Sequence, residues 1–165
     1  MTEPTVRLVP WSAADLPLLR RINTPEMRAH VGGAESEEQV LVRHQRYLAL
    51  DNGWMFRVEL PSGEPAGSVA FWSRVWHDEP VYESGWDVLP EFQGQGIASA
   101  AVRAVLVAAR EDGRHRWLHA FPSVANAPSN AVCRKTGFTL VGETEFEYPR
   151  GRFMRSNDWR YDLTA

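Results

Sequence analysis

Two neighbouring stretches hold residue types that could do chemistry together. In Tyr82-Glu83-Ser84-Gly85-Trp86-Asp87-Val88, an extended backbone turns Glu83, Gly85 and Asp87 to one face and Tyr82, Trp86 and Val88 to the other. A central strand rarely aims two acids at a packed layer, so this face is expected to border a wet cavity, with a solvated strand face as the alternative. The second stretch is the turn Gln93-Gly94-Gln95-Gly96, which runs straight into Ile97-Ala98-Ser99 and an apolar helical pattern. A helix N-terminus offers unpaired N–H groups and partial positive charge, and glycine lets a phosphate come close. A P-loop would need Lys followed by Ser or Thr after the last glycine, and Ile97-Ala98 stands there. A dinucleotide fingerprint would need glycine at Ser99 and would open its own β-α-β unit. What remains is another phosphate-bearing ligand, or a tight turn with a helix cap.

Other chemistries are poorly served. His30, His44, His77, His115 and His119 lack metal-ligand spacing, and Cys133 is the only cysteine, so no metal site and no intrachain disulfide is expected. No Ser-His-Asp or Cys-His order stands out. Glu145 and Glu147 could rim an acceptor site but read better as a solvated face. Trp54, Trp72, Trp76 and Trp86 lie on or beside strands and read as core or interface. Trp72, Trp76 and Trp86 could instead wall a pocket for a cationic amine. Arg28 and His30, in Pro25–Gly33, are candidates for an acceptor-side loop.

The elements that must position these groups follow from periodicity. Thr5–Val9 alternates as a strand, and Ser12 or Asp15 caps a helix carrying Leu16, Leu18, Leu19 and Ile22. Ser36–Gln39 has capping-box spacing for a helix with Val40, Leu41, Tyr47, Leu48 and Leu50 as its stripe. Trp54–Leu60, Ala66–Val75 and Val81–Val88 are three strands joined by short turns, which favours antiparallel pairing. Ile97–Arg110 is an amphipathic helix ended by Asp112-Gly113. Arg116–Phe121, Phe138–Phe146 and Asp158–Leu163 are strands, with a helix over Ala127–Lys135. The fold class is therefore α/β or α+β, with a mixed sheet that is antiparallel at first and contains a later β-α-β crossover. At 165 residues, without repeats or a domain-scale linker, the chain reads as a single domain with its core over 5–163. A net charge of −3 leaves no broad cationic field for nucleic acid or an acidic membrane. Met1–Pro4 lacks a leader pattern, and the apolar run 97–109 is short and contains Arg103, so a cytoplasmic location is expected.

The segment Val88-Leu89-Pro90-Glu91-Phe92-Gln93-Gly94-Gln95-Gly96-Ile97-Ala98 resembles the acetyl-CoA signature of the GCN5-related N-acetyltransferase (GNAT) superfamily. Asn126-Ala127-Pro128-Ser129-Asn130, running on to Gly137-Phe138, is similar to that superfamily's late helix and its exit. The Asn-x-x-Ser-Asn form resembles the branch of ribosomal-protein N-terminal acetyltransferases. The resemblance implies a twisted, mostly antiparallel sheet of about seven strands flanked by about four helices. It also implies acetyl-CoA as cosubstrate, held by the backbone of Gln93, Gly94, Gln95, Gly96, Ile97, Ala98 and Ser99. Val88 N–H would meet the thioester carbonyl and Asn126 the pantetheine arm, with a helix N-cap as the other reading of Asn126.

Direct acetyl transfer needs a neutral amine and then a proton for the thiolate. Deprotonating a lysine-like amine at pH 7.4 costs about 4 kcal/mol, whereas an α-amino group costs under about 1 kcal/mol. Glu83 is the expected base, directly or through one water, with Asp87 second. Ser129 is the expected donor to CoA sulfur, or else a first-turn residue bonding backbone. Many superfamily members carry Tyr seven residues after the late-helix Asn; here Cys133 stands there, a small hydrophobe first. The expected function is acetyl-CoA-dependent N-acetylation of a primary amine, on a protein N-terminus or a small molecule. The alternatives are an acyl-CoA-binding regulatory module without turnover and a phosphate-nucleotide binder. A homodimer through exposed strand or Trp surface is also considered.

Overall fold

The computed structural model describes residues 3–148 and 150–165. Met1 and Thr2, on which part of the leader reading rests, lie outside the described residues, as does Pro149. Among the described residues seven strands and four α-helices follow one another as β1 (Arg7–Pro10), α1 (Leu16–Ile22), α2 (Glu37–Leu48), β2 (Gly53–Glu59), β3 (Pro65–Trp76), β4 (Glu79–Val88), α3 (Ile97–Asp112), β5 (Trp117–Ala120), α4 (Ala127–Lys135), β6 (Thr139–Glu147) and β7 (Phe153–Asp162). They form one sheet in the order β1-β2-β3-β4-β5-β7-β6. All neighbours are antiparallel except β4 and β5. The parallel pair follows from the crossover through α3, because a chain that returns through a helix re-enters the sheet in its original direction.

Local chemistry fixes the helix ends. Ser36 and Gln39 form the reciprocal capping box that starts α2. Gly113, at φ 71°, ends α3 in the left-handed conformation glycine tolerates. The sheet buries both faces. On one, α3 sets Ile97, Ala101, Val105 and Ala109 against Val69, Phe71, Tyr82 and Leu118, and Cys133 of α4 joins them. On the other, Leu18, Leu19 and Ile22 of α1 and Val40 of α2 cover Met55 and Ala70.

Two sequence expectations change. Leu41 and Leu48 of α2 are exposed, and the buried face is Val40, Arg43 and His44. Polar residues can serve there because each is satisfied: Glu35 takes Arg43 through two bonds of 2.7 Å, and His44 Nδ1 accepts from Trp11 Nε1. The last strand begins at Phe153 rather than Asp158, since Phe153–Asn157, which ends in the polar Arg155-Ser156-Asn157, pairs with β6 in a hairpin that its composition does not announce. β6 is an edge strand with a register shift between Leu140 and Gly142, and its Glu143, Glu145 and Glu147 are exposed.

The feature that positions the site is the parting of β4 from β5. Only Tyr82↔Leu118 and Glu83↔His119 pair. Past them β4 continues to Val88, while the chain after β5 turns to β7: Asn157 N donates to Pro122 O, Val124 N to Arg155 O, and Ser123 bridges Ser156. On its far side β4 stays in unbroken register with β3, down to Gly67↔Val88. An alanine Cβ at Gly67 would stand 1.9 Å from Asp87 O, backbone against backbone. Gly67→Ala is therefore expected to cost about 3 kcal/mol, the upper end of overpacking, measured by urea unfolding, and to loosen the end of β4 that carries Asp87 and Val88.

Candidate functional site

At the end of β4 the turn predicted from Gln93 to Ser99 forms a cradle of backbone amides. Gly94 and Gly96 take φ 75° and 81°, and α3 starts at Ile97. The first helical bond is Ala100 N to Gly96 O, so among the described residues the N–H groups of Gly94, Gln95, Gly96, Ile97, Ala98 and Ser99 have no acceptor. A Cβ on Gly94 would meet nothing within 4 Å, which leaves the mouth of the turn open, while Gly96 lies against Pro4. Six amides, two glycines and a sixteen-residue helix behind them suit a diphosphate. The side chains of Gln93 and Gln95 bind the turn itself: Gln93 Nε2 donates to Val88 O at 2.9 Å and Gln95 Nε2 to Glu91 O at 3.2 Å.

The edge of β4 continues the cradle. Leu89 N donates to Ala66 O, so by strand alternation the amides of Val88 and Trp86 turn the other way, to the edge that β5 leaves unpaired. Sequence reading named Val88 and missed Trp86, because an open rung depends on where the neighbouring strand ends. An extended chain with amide groups of its own fits such an edge.

Across the opening stands α4. Asn126 Oδ1 caps it by accepting from Ser129 N at 3.3 Å, which satisfies the cap reading and leaves the Asn126 amide NH2 group unengaged by any described residue. Ser129 is half-buried, and its hydroxyl likewise has no partner among the described residues. Asn130, left without a role by the sequence, is the anchor. Its Nδ2 donates to Ser123 O and Asn126 O, and its Oδ1 accepts from Asn157 Nδ2 and Trp159 Nε1, all within 3.0 Å. Cys133 lies wholly inside the α3 core, where burial pushes its thiol up to about 12, so it serves packing.

Glu83 and Asp87 share the sheet face covered by α1 and α2. Glu83 accepts from Arg74 Nη1 at 2.5 Å. Burial raises the Glu83 carboxyl above its ordinary value, with Arg74 and then His119 pulling back. Arg74 itself lies over the rings of Trp76, Phe121 and Phe146 at 5.0–5.6 Å. Next to Glu83, His119 Nδ1 and Asp158 Oδ1 are 2.6 Å apart, and Trp76 Nε1 donates to Asp158 Oδ2. Asp87 has no hydrogen-bond partner among the described residues, and burial raises it against the weaker pull of Arg28 and Arg43. Arg28 is buried and staples its own loop by donating to Gly33 O and Val31 O. Arg43 also lines a groove of about 440 Å³ shared with Glu35, Gln39, Val42, Arg46 and Tyr148.

The aromatic expectations divide. Trp72 and Trp76 lie on the acid face, whereas Trp86 belongs to the opposite face with the α3 core. Trp54 is 49% exposed rather than core, stacked along Phe56. Glu145 and Glu147 point to solvent, in keeping with the solvated reading. Among the described residues no helix is long and apolar enough to cross a membrane.

The sequence pattern described as an acetyltransferase (GNAT) domain matches residues 5–139. The chain belongs to the GNAT acetyltransferase family. Solved GNAT structures share its fold along almost the whole chain. The acetyltransferase from Salmonella typhimurium that modifies the N-terminal serine of ribosomal protein L7/L12 is 23% identical, over 96% of this chain and 95% of that one, with a TM-score of 0.78. The spermidine N-acetyltransferase from Vibrio cholerae, solved with CoA and spermine, is 16% identical over 96% of each chain, with a TM-score of 0.80. An aminoglycoside acetyltransferase solved with coenzyme A is 19% identical over 96% of this chain and 95% of that one, with a TM-score of 0.78. At these identities the likeness establishes the fold and leaves the acceptor open. No curated protein sequence matches the chain.

Asp87 allows a test of the GNAT acid face in the resting protein. Its carboxyl is raised in the folded state, so the folded form holds that proton more tightly than the unfolded chain does. Its contribution to stability is complete below the unfolded carboxylate range and is lost as pH rises through the folded value. Asp87→Asn removes that loss. Its urea midpoint is expected to exceed the wild type at pH 7.5, with the difference closing as pH falls through the carboxylate range.

Proposed function

We propose that this GNAT domain moves an acetyl group from acetyl-CoA to a primary amine, the amine attacking the thioester directly in a ternary complex. The observation that carries this reading is the continuous amide surface: the unpaired N–H groups of Gly94–Ser99, followed by the Val88 and Trp86 amides on the open edge of β4. The turn would hold the CoA diphosphate through Gly94, Gln95, Gly96, Ile97, Ala98 and Ser99, with Gln93 bracing it. Val88 and Trp86 would pair with the amide-bearing arm, and the Asn126 amide would meet it from α4. Acetyl-CoA supplies an activated acyl group and a thiol leaving group.

Glu83 would take the proton of the amine. It stands about 16 Å along β4 from Val88 and about 10 Å from Trp86, so the acceptor amine, with ordered water, would have to span from the open edge back toward the acid. A carboxyl raised by burial suits a base working near neutral pH better than an ordinary one. Ser129, whose hydroxyl at the first turn of α4 has no partner among the described residues, would donate to sulfur. Among acceptors, a protein N-terminal amine is favoured by the Asn126–Ser129–Asn130 pattern and by the smaller deprotonation cost of an α-amino group. The relatives that act on a ribosomal-protein N-terminus, on spermidine and on an aminoglycoside all use amines, which agrees with the class.

A second reading is an acyl-CoA-binding module without turnover, favoured by the buried Cys133 at the position where many family members carry a tyrosine. Calorimetric titration with acetyl-CoA, followed by a thiol-release screen against amines and N-terminal peptides, separates the two. Micromolar binding with release by one amine class is expected; binding without release by any amine supports the module instead. Gly96→Ala, which forces a Cβ into a left-handed position beside Pro4, is expected to weaken acetyl-CoA at least about tenfold, since it distorts the turn that holds the amides. Glu83→Gln is expected to lower kcat by about 10²–10⁴ with acetyl-CoA affinity retained. ATP binding as tightly as acetyl-CoA would overturn the assignment.

A further inference from the structure

Beside Glu83 lies a buried pair that neither the sequence nor the family match assigns. His119 and Asp158 are each about 5% exposed, and His119 Nδ1 sits 2.6 Å from Asp158 Oδ1. The second carboxylate oxygen of Asp158 accepts from Trp76 Nε1 at 3.1 Å, so the acid is held from two sides. An ionised carboxylate at Nδ1 selects the imidazole tautomer with its proton on that nitrogen. The lone pair is then on Nε2, which has no hydrogen-bond partner among the described residues. Glu83 and His119 are directly paired residues of neighbouring parallel strands, on one face of the sheet, at the last rung before β4 and β5 part. One oxygen of Glu83 is engaged by Arg74 Nη1, while its other oxygen has no partner among the described residues. A polar pair of this kind is costly to bury, and the fold places it where the candidate base meets the cleft.

We propose that His119 and Asp158 form a proton relay behind Glu83: Asp158 fixes the ring, and His119 Nε2, which makes no direct bond to Glu83, takes from it through one bridging water the proton that Glu83 removes from the acceptor amine. This rests on Glu83 acting as the base of amine acetylation. The amine nitrogen's lone pair forms the new bond to the acetyl carbon and its proton goes to a Glu83 oxygen, directly or through one water. The acetyl carbon–sulfur bond then breaks, and the CoA thiolate leaves with a proton from Ser129, which water restores. The amine's proton then passes from the Glu83 oxygen through the bridging water to Nε2, giving an imidazolium paired with the Asp158 carboxylate and a Glu83 carboxylate ready for the next amine. The imidazolium later yields the proton to water through the cleft. No electrons change hands. The charged and titratable groups around His119 are Glu83 from β4, Arg74 from β3, Asp158 and Arg160 from β7, and His77 beyond Trp76. His119 and Asp158 act through Glu83, so both are positioning residues for the acceptor's proton.

Two measurements test the relay, and one of them needs no turnover. In the resting protein, 15N NMR of the His119 ring is expected to show the Nδ1–H tautomer, with the Nε2 shift moving in Glu83→Gln. An Nε2–H tautomer, or His119 signals that do not move in Glu83→Gln, overturns the proposal even if the enzyme is active. In steady state, His119→Gln is expected to lower kcat about tenfold with KM for the amine unchanged, and to alter the shape of the pH–rate profile. Asp158→Asn is expected to cost a similar factor, and the double variant no more than the larger single loss. An unchanged kcat and pH profile in His119→Gln overturns the relay, as do losses that multiply. Should Asp158→Asn fail to fold, the Glu83→Gln spectrum and the His119→Gln profile still decide. A coupled His119–Glu83 spectrum in a protein that releases no thiol with any amine would sink the acetyl-transfer reading and leave the pair itself standing.

Discussion

The whole arrangement depends on a strand pair that is broken off early. β4 and β5 share only two paired positions, Tyr82↔Leu118 and Glu83↔His119, before the chain after β5 is drawn to β7. A buried sheet with unsatisfied rungs is ordinarily unfavourable, because an amide withdrawn from water without a partner costs roughly as much as a lost hydrogen bond. Here the rungs of Trp86 and Val88 face an opening instead of a core, so their hydrogen-bonding capacity is kept for something other than the fold. The amides of Gly94–Ser99 extend the same unpaired surface around the corner into α3. In the proposed function, ligand recognition would therefore rest mostly on backbone, with side chains supplying the chemistry on the neighbouring face.

Keeping such an opening requires rigid walls. On the β4 side the wall is β3, in continuous register to Gly67↔Val88, where only a glycine admits the approach of the Asp87 carbonyl. On the α4 side it is Asn130, whose amide uses two donor and two acceptor contacts to tie the helix start to Ser123, Asn126, Asn157 and Trp159. Neither group needs to touch a ligand to set the distance across the cleft. Each is a buried contact whose removal leaves its partners unsatisfied, which makes the separation of the walls a property of the fold.

Much of this was legible from residue types. The capping box at Ser36–Gln39, the glycine at 113, the stripe Ile97–Ala109 and the alternation of β4 all formed as local chemistry requires. The gaps have a common cause. Arg43 and His44 replace the expected leucines on the buried face of α2 because Glu35 and Trp11 satisfy them, and neither partner belongs to the helix. The Trp86 rung depends on where another strand stops. The group of Arg74, Glu83, His119 and Asp158 is spread over 85 positions of sequence and assembles only when four strands lie side by side. Periodicity along one segment carries no trace of such a meeting. The acid side of the site was therefore seen as a face, and its partners were not.

The outer strand β6 has a different consequence. It ends the sheet, so one of its backbone edges is free to accept another strand, and a free edge is the usual starting point for uncontrolled association. Its register shift near Gly142 breaks the flat profile that stacking requires, and Glu143, Glu145 and Glu147 repeat a negative charge at every second residue. Two such edges brought together would align Glu145 and Glu147 with like charges, which opposes the pairing, while Glu143 is already held by Arg155. Colloidal stability at high concentration is thus built into the strand that closes the sheet.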